Sequence, residues 1–586
     1  MAVEARLLVV TPTHLVARAS SVMAVRVPLE RLVALSVPVL QAGMARHRAV
    51  AVGVRLPLSQ ATVRVAKSRS RILEGSMAEN IVQIKSLPGI KRDGTKFEGD
   101  QYVDGQWVRF QRGLPRKIGG FRSINKYLSS VARALHEYTL DLLTYVHAGS
   151  ATSLERFFID GSLNTSVISD RTPATLVASD ANMWQFDVDT AAGTGLQLIA
   201  QVAPNLNCIC NSAGGQLFYG DETGTAALAE VTLLPSPYSV TGGVVALHPY
   251  TVAFGNDGFV MWSVPGDPTD YTGSGAGNAY VTGQKLVRGM PLRGGPGNSP
   301  SGLLWSADAL IRMSYVGGTP TFQFDTISAQ SSILSAQSVI EYDGIFYWVG
   351  TDRFLLFNGV VREVENNLNL NYFFDNLNYA QRQKVFAMKV PRFGEIWWCF
   401  PFGDSTEPNH AVIYNVRENV WYDTELPNDG RAAGLSPAIF RRPLMTGVLP
   451  NEDDGYSVWV HETGVDEIDG LVVNPIMSYF ETADLSLPAQ SQINRAIQVL
   501  IMEPDFVQSG DMTVEVMGRA NARSPEVNGE VKTIVETPQT PEEQIIYFKD
   551  QRRELRFRFT SNTVGGDYQT GLILAHVQPA DGTVIG

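Results

Sequence analysis

Between Ile340 and Leu426 apolar positions come in short bursts separated by turn signals. The chain reads IEYDGIFYWVGTDRFLLFNGVVREV, then KVFAMKVPRFGEIWWCFPF, then HAVIYNVRENVWYDTEL. Asp343-Gly344, Asn358-Gly359, Phe393-Gly394 and Arg417-Glu418-Asn419 are residues that reverse a chain within a few positions. The bursts between them are too short for helices and rich in Val, Ile, Phe, Tyr and Trp. The pattern predicts short antiparallel strands running up and down in series. Adjacent Trp397 and Trp398 then face opposite sides of one strand, and at least one of them is core.

Similar runs recur from Leu135 to Leu449. They include Tyr138 to Val146, Arg156 to Ile159, Leu206 to Asn211 with Gln216 to Tyr219, Val244 to Phe254 with Phe259 to Val264, and Leu303 to Val316. Ala213-Gly214-Gly215 and Asn256-Asp257-Gly258 read as hairpin turns. One short helix is expected near Tyr372 to Gln381. From Leu471 the pattern becomes strict alternation. Met512, Val514 and Val516 interleave with Thr513 and Glu515, and Leu555, Phe557 and Phe559 with Arg556, Arg558 and Thr560. That spacing predicts strands with one buried and one solvated face. The expected fold is all-β: a β-propeller-like domain of about five to seven blades followed by a C-terminal β-sandwich. The expected division is an extended N-terminal segment over 77–134, the propeller over 135–450, a linker over 451–470 and the sandwich over 471–586.

Composition changes the picture at one end. The 586 residues are 44% hydrophobic and 18% charged, as in a folded globular protein. Residues 1–76 stand apart: they hold no Phe, Trp, Tyr, Asp or Asn, and eleven Lys and Arg against three Glu. They carry +8 in a chain of −12, so the remainder carries −20. Two readings fit: a basic arm or targeting segment, or a reading frame begun upstream of a true start at Met77. Glu74-Gly75 before Met77 favours the second, since those codons can spell a bacterial ribosome-binding site. Three cysteines, Cys208, Cys210 and Cys399, exclude a disulfide scaffold, and no apolar run is long enough for a membrane helix.

No catalytic, cofactor-binding or metal residues are assigned. The histidines lack metal-ligand spacing. A Cys399/His410 nucleophile pair is conceivable, but Cys399 sits in IWWCF and reads as a buried strand residue. The acidic groups Asp187-Val188-Asp189, Glu452-Asp453-Asp454-Gly455 and Asp466-Glu467-Ile468-Asp469-Gly470 lack the spacing of a calcium loop and read as solvated turns. The glycine-rich stretches Thr272 to Asn278 and Gly294 to Gly302 lack the Gly-Lys-Ser/Thr of a phosphate loop and read as exposed loops at a subunit contact. Lys91, Arg92, Arg109, Arg112, Arg116, Lys117 and Arg122 form a basic cluster. It suits DNA phosphates less than a solvated or protein-facing surface, because no groove-entering helix accompanies it.

YDGIFYWVGTDRFLLFNG, GEIWWCFP and VIYNVRENVWYDTELP, with DGQWVRFQRGLPRKIGGFRSI from Asp104 and GFVMWSVPGDPTDYT from Gly258, resemble one family. These are the tail-hub or nozzle proteins of short-tailed bacteriophages, also called packaged-DNA stabilisation proteins. The resemblance covers most of Met77 to Gly586 and rests on aromatic strand patterns. It implies a non-enzymatic virion structural protein without cofactors, in the tail, and in the host cytoplasm during assembly. It further implies a ring, a homohexamer, meeting upstream head-to-tail adaptor proteins and tail fibres or tailspikes. Double-stranded DNA would pass through the channel without sequence specificity. An acidic lining suits that role, since carboxylates repel phosphate. The rival expectation is a carbohydrate-binding or glycoside-cleaving β-propeller.

Overall fold

The turn signals do what their chemistry suggests. Asp343 and Gly344 both adopt positive φ, 51° and 80°, and bring Tyr342 opposite Ile345. Asp141 (φ 56°) closes the hairpin in which Leu140 faces Leu143, and Asn419 (φ 53°) the one in which Asn415 faces Val420. In this computed structural model, residues 80–580 are described apart from 97–98, 181, 192–194, 204–214, 237–239, 293–299, 439, 486–495 and 522. The expectations for residues 1–76, for Cys208 and Cys210 with their strand and turn, and for most of the loop at Gly294 to Gly302 lie outside the described residues. The chain is all-β, with 54% strand and 4% helix.

Most strands belong to small antiparallel sheets, each a meander of four. Sheet 1 holds Ala132–Leu140, Leu143–Ser150, Leu154–Ile159 and Ser169–Asp170. Sheet 2 holds Met183–Ala191, Gly195–Ala203, Gln216–Asp221 and Ala229–Glu230. Sheet 3 starts at Gly243–Leu247, sheet 4 at Leu286–Pro291, sheet 5 at Ile340–Tyr342 and sheet 6 at Phe386–Val390. Sheet 7 differs. Its first three strands are Arg431–Leu435, Leu444–Pro450 and Tyr456–His461, and its fourth comes from the other end of the chain, Phe121–Leu128. A hairpin of Glu467–Asp469 and Val472–Asn474 extends it. The first strands of sheets 1 to 4 adjoin in order, as do those of sheets 5, 6, 7 and 1. The turn Ala336–Ser338, which leads into sheet 5, lies against the first strand of sheet 4.

The C-terminal region forms two larger sheets. One has five strands: Asp104–Gln106, Ser478–Glu481, Glu554–Ser561, Met512–Arg519 and Val527–Ile534. The other has seven, built around the long pair Ile497–Ser509 and Asp567–Pro579, with Asn80–Ile84 and Leu114–Lys117 alongside. Met512, Val514, Val516, Leu555, Phe557 and Phe559 of the first share one core with Val499, Met502, Tyr568, Ala575 and Val577 of the second. That core also takes in Trp397, Cys399 and Tyr422 of sheet 6 and Met445 and Trp459 of sheet 7. Trp107, Phe110 and Phe121 of the N-terminal segment belong to it as well.

Several expectations change. Residues 451–470 are not a linker: Tyr456–His461 is a largely buried strand inside sheet 7. The acidic turns on either side of YSVWVH hid it. The extended N-terminal segment expected over 77–134 is not a unit of its own: its described strands enter both C-terminal sheets and sheet 7, and residue 134 falls inside the first strand of sheet 1. Val244 to Phe254 is two strands, Gly243–Leu247 and Tyr250–Phe254, paired about His248-Pro249, and Leu303 to Val316 likewise divides into Ser301–Ser306 and Leu310–Tyr315. The expected helix is Leu370–Asn376, followed by a 3-10 stretch Tyr379–Lys384. No helix among the described residues is long and apolar enough to cross a membrane.

Candidate functional site

The strand Glu395–Phe400 is buried along its whole length. Trp397 and Cys399 face the core shared with the C-terminal sheets, while Trp398 and Phe400 face the core of sheets 5 and 6. Both tryptophans are therefore core. Cys399 lies opposite Ala411, and His410 lies opposite Phe400. Alternation then puts the thiol and the imidazole on opposite faces of the sheet, so they form no nucleophile pair. Burial pushes the Cys399 thiol up and the His410 imidazole down to about 4. The His410 ring stacks on Phe402 at 4.1 Å.

The acidic groups take three different roles. Asp187 and Asp189 are not in a turn; they lie in the first strand of sheet 2. Asp187 accepts the backbone N–H of Ala246 at 2.8 Å. Asp189 faces His248 Nδ1 at 3.0 Å and accepts from the Thr251 hydroxyl. Their oxygens tie sheet 2 to sheet 3. Glu452, Asp453 and Asp454 form an exposed turn in which Asp454 has φ 58°. Asp466 is buried and accepts the N–H of Gly565 at 2.8 and 3.0 Å, joining the end of sheet 7 to the C-terminal sheets. Among the described residues no three His, Cys, Asp or Glu are placed to hold a metal ion.

Three of the N-terminal cations point inward. Arg109 is buried 2.9 Å from Glu395, also pairs with Glu462, and lies over the Phe393 ring at 3.7 Å. Glu395 further accepts from Tyr422 Oη at 2.6 Å and Trp397 Nε1 at 2.9 Å. Burial pushes its carboxyl up, and Arg109 opposes that shift. Arg92 holds Asp423 of sheet 6 with bonds of 2.9 to 3.1 Å and pairs with Asp104 of the five-stranded sheet. Lys117, brought down to about 8 by burial, donates to the Gly566 carbonyl at 2.7 Å. Arg112 and Arg122 are exposed. Arg556, expected on a solvated face, is fully buried, with Glu481 at 3.2 Å and Glu526 beside it. Alternation fixes which side a residue faces, and another element covers that side.

A polar cluster that sequence reasoning missed lies between sheets 1 and 2. His136 and His147 face each other across the first hairpin of sheet 1. Glu222, at the end of the third strand of sheet 2, is 3.0 Å from His136 Nε2 and 3.7 Å from His147 Nδ1. Arg171 Nη1 lies 2.9 Å from His147 Nε2. Guanidinium only donates, so Nε2 is the acceptor and the His147 proton sits on Nδ1, on the side of Glu222 but too far from it for a hydrogen bond. That tautomer leaves Nδ1 no lone pair for a metal. The signal was available: a two-residue turn at Asp141-Leu142 places residues 136 and 147 opposite each other. Nothing local announces Glu222.

Further polar bonds join sheets that are not neighbours in sequence. Gln185 Nε2, in the first strand of sheet 2, donates to the Val287 carbonyl of sheet 4 at 2.9 Å. Gln337 Nε2, ahead of sheet 5, donates to the Trp184 carbonyl of sheet 2 at 2.7 Å. No family model matches the chain, and no curated protein matches it. Among solved structures it is similar to the computationally designed Ika8 protein, at 12% identity over 58% of this chain and 99% of that one, with a TM-score of 0.33.

Proposed function

We propose that the chain is a virion structural protein that forms, with further copies of itself, the distal ring of a short phage tail. In this reading sheets 1 to 7 are the blades of a seven-bladed propeller, fastened shut where Phe121–Leu128 completes sheet 7. The two C-terminal sheets are a β-sandwich. The aromatic strand motifs between Ile340 and Leu426 supply the resemblance behind the reading.

One observation carries it. Buried and half-buried charged groups are committed to holding the sheets and the C-terminal pair together: Arg109 with Glu395 and Glu462, Arg92 with Asp423 and Asp104, and Asp466 with Gly565. Such ties make a stiff body suited to a mechanical load. The Gln185 bond ties sheet 2 to sheet 4 and the Gln337 bond ties the turn ahead of sheet 5 to sheet 2, which in this reading would close off the centre of the propeller. In this reading the DNA path would run between copies of the chain, around the axis of a homohexamer, rather than through one copy. The charge of −20 outside residues 1–76 suits such a lining, because carboxylates repel passing phosphate. Adaptor proteins would meet the ring on one side, and fibres or tailspikes on the other.

The test is a phage lacking this chain. Particles are expected to package DNA and then lose it, giving empty, non-infectious heads without a tail tip. Restored chain should appear as a six-fold ring by negative-stain microscopy. Null particles that keep their DNA and a finished tail but fail to bind or degrade host polysaccharide would overturn the reading in favour of a carbohydrate-active propeller.

A further inference from the structure

We propose that Glu222, held between His136 and His147, is the catch of an acid-releasable latch fastening the 221–228 loop of sheet 2 onto sheet 1. This inference concerns regulation within one chain and is independent of the ring reading. The loop connects Gln216–Asp221 to Ala229–Glu230. Four hydrogen bonds tie it to sheet 1 or to the segment just after that sheet. His136 Nε2 meets Glu222 at 3.0 Å, Arg156 Nη2 donates to the Thr223 carbonyl at 2.6 Å, and Arg171 Nε donates to the Ala226 carbonyl at 2.9 Å. The Leu228 N–H donates to the Arg171 carbonyl at 3.1 Å. Glu222, His147, Arg171 and Arg156 are all more than nine-tenths buried.

Acid sensitivity follows from the donor and acceptor count. His147 Nε2 already accepts from Arg171, so a second ring proton would set N–H against N–H inside a dry seam. Burial and the nearby His136, Arg171 and Arg156 oppose that proton as well. Asp221 is turned into the loop, where it accepts the Thr223 N–H at 2.7 Å. Tyr138 and Tyr145 flank the cluster, the latter under Arg156 at 4.6 Å. Asp187 and Glu137 lie within electrostatic reach of His136, and Arg288 and Lys389 within reach of those two carboxylates in turn. When the loop lifts, His147 meets water and takes an ordinary imidazole affinity for protons, about 6.5. Opening then takes up a proton, and falling pH favours it. His461 supplies a built-in contrast: its Nε2 also accepts from an arginine, Arg431 at 3.1 Å, but it holds no loop carboxylate.

Hydrogen exchange of the full chain, corrected for the chemical rate and compared at pH 7.5 and 5.5, tests the latch. One linked proton with an open-state affinity near 6.5 predicts about tenfold more opening at the lower pH. The rise should be confined to residues 221–228 and the facing strand Leu143–Ser150, with Val420–Glu425 unchanged. His147→Gln keeps an acceptor for Arg171 and removes the titration, so the ratio should fall to about one. Glu222→Gln should free the loop already at pH 7.5 and serves if His147→Gln does not fold. A ratio near one in the unaltered chain, a tenfold ratio retained in His147→Gln, or a loop still protected in Glu222→Gln would each overturn the proposal.

Discussion

Two seams between neighbouring sheets show opposite solutions to one packing problem. Between sheets 5 and 6 the filling is aromatic. Phe354 lies 5.0 Å from Trp398 and 4.6 Å from Trp421, those two indoles stack at 5.8 Å, and Phe373 closes the end. Each indole N–H finds a backbone carbonyl, Ser338 for Trp398 and Glu365 for Trp421. Between sheets 1 and 2 a smaller apolar cluster of Ala134, Leu154, Trp184, Leu198, Ala200 and Phe218 shares the gap with two histidines, a glutamate and two arginines. Apolar burial is non-directional and indifferent to pH. A buried polar cluster depends on geometry and protonation, and it becomes costly once a partner is missing. The architecture tolerates both because the backbone ladders of the meanders are the same.

The largest expected effect breaks the aromatic seam. Trp398→Ala should cost about 3–5 kcal/mol in urea unfolding, with no dependence of that loss on pH between 5 and 8. A melting temperature unchanged by both Trp397→Ala and Trp398→Ala would contradict the burial of this strand. At the seam with the C-terminal sheets, Arg109→Ala leaves Glu395 buried without its partner. It should cost a similar amount, about 3–5 kcal/mol, and the loss should shrink when Glu395→Gln is added. A double-mutant cycle read by calorimetry checks this.

Next comes pH. His147 and His461 are held well below the ordinary histidine range by burial and by nearby arginine, and His410 is brought down to about 4 by burial. A histidine whose folded affinity for protons is depressed stabilises fully above its unfolded value, near 6.5, and loses that contribution as pH falls below it. Global stability should therefore decline from pH 7 toward pH 5. Each such histidine contributes at most about 1.4 kcal/mol per pH unit below 6.5. His147→Gln with His461→Gln should flatten the slope, and an unchanged slope would place the acid-sensitive groups elsewhere. Asp454→Asn should do least, within about 0.5 kcal/mol, because the residue is exposed and asparagine tolerates the same positive φ.

Much of the local structure was legible in the residues. The Asp343-Gly344 reversal, the two faces of Trp397 and Trp398, and the buried row Met512, Val514 and Val516 depend on neighbours a few positions away. Turn stereochemistry and strand alternation determine them. The boundaries were less legible. YSVWVH at Tyr456 has the composition of a strand, but only its pairing with Phe121–Leu128 makes it part of a sheet.

By itself the sequence determined that this is an all-β chain of short, turn-linked strands with aromatic cores, because backbone preference and alternation are local properties. The tertiary structure alone decided which distant strand completes sheet 7. It also decided which charges leave water, and hence that Arg109, Arg556 and Glu222 are buried while Arg112 and Arg122 are exposed. A carboxylate or guanidinium reads the same in sequence wherever it lies. Its energy is set by the dielectric around it and by partners hundreds of residues away, and those exist only once the sheets have met.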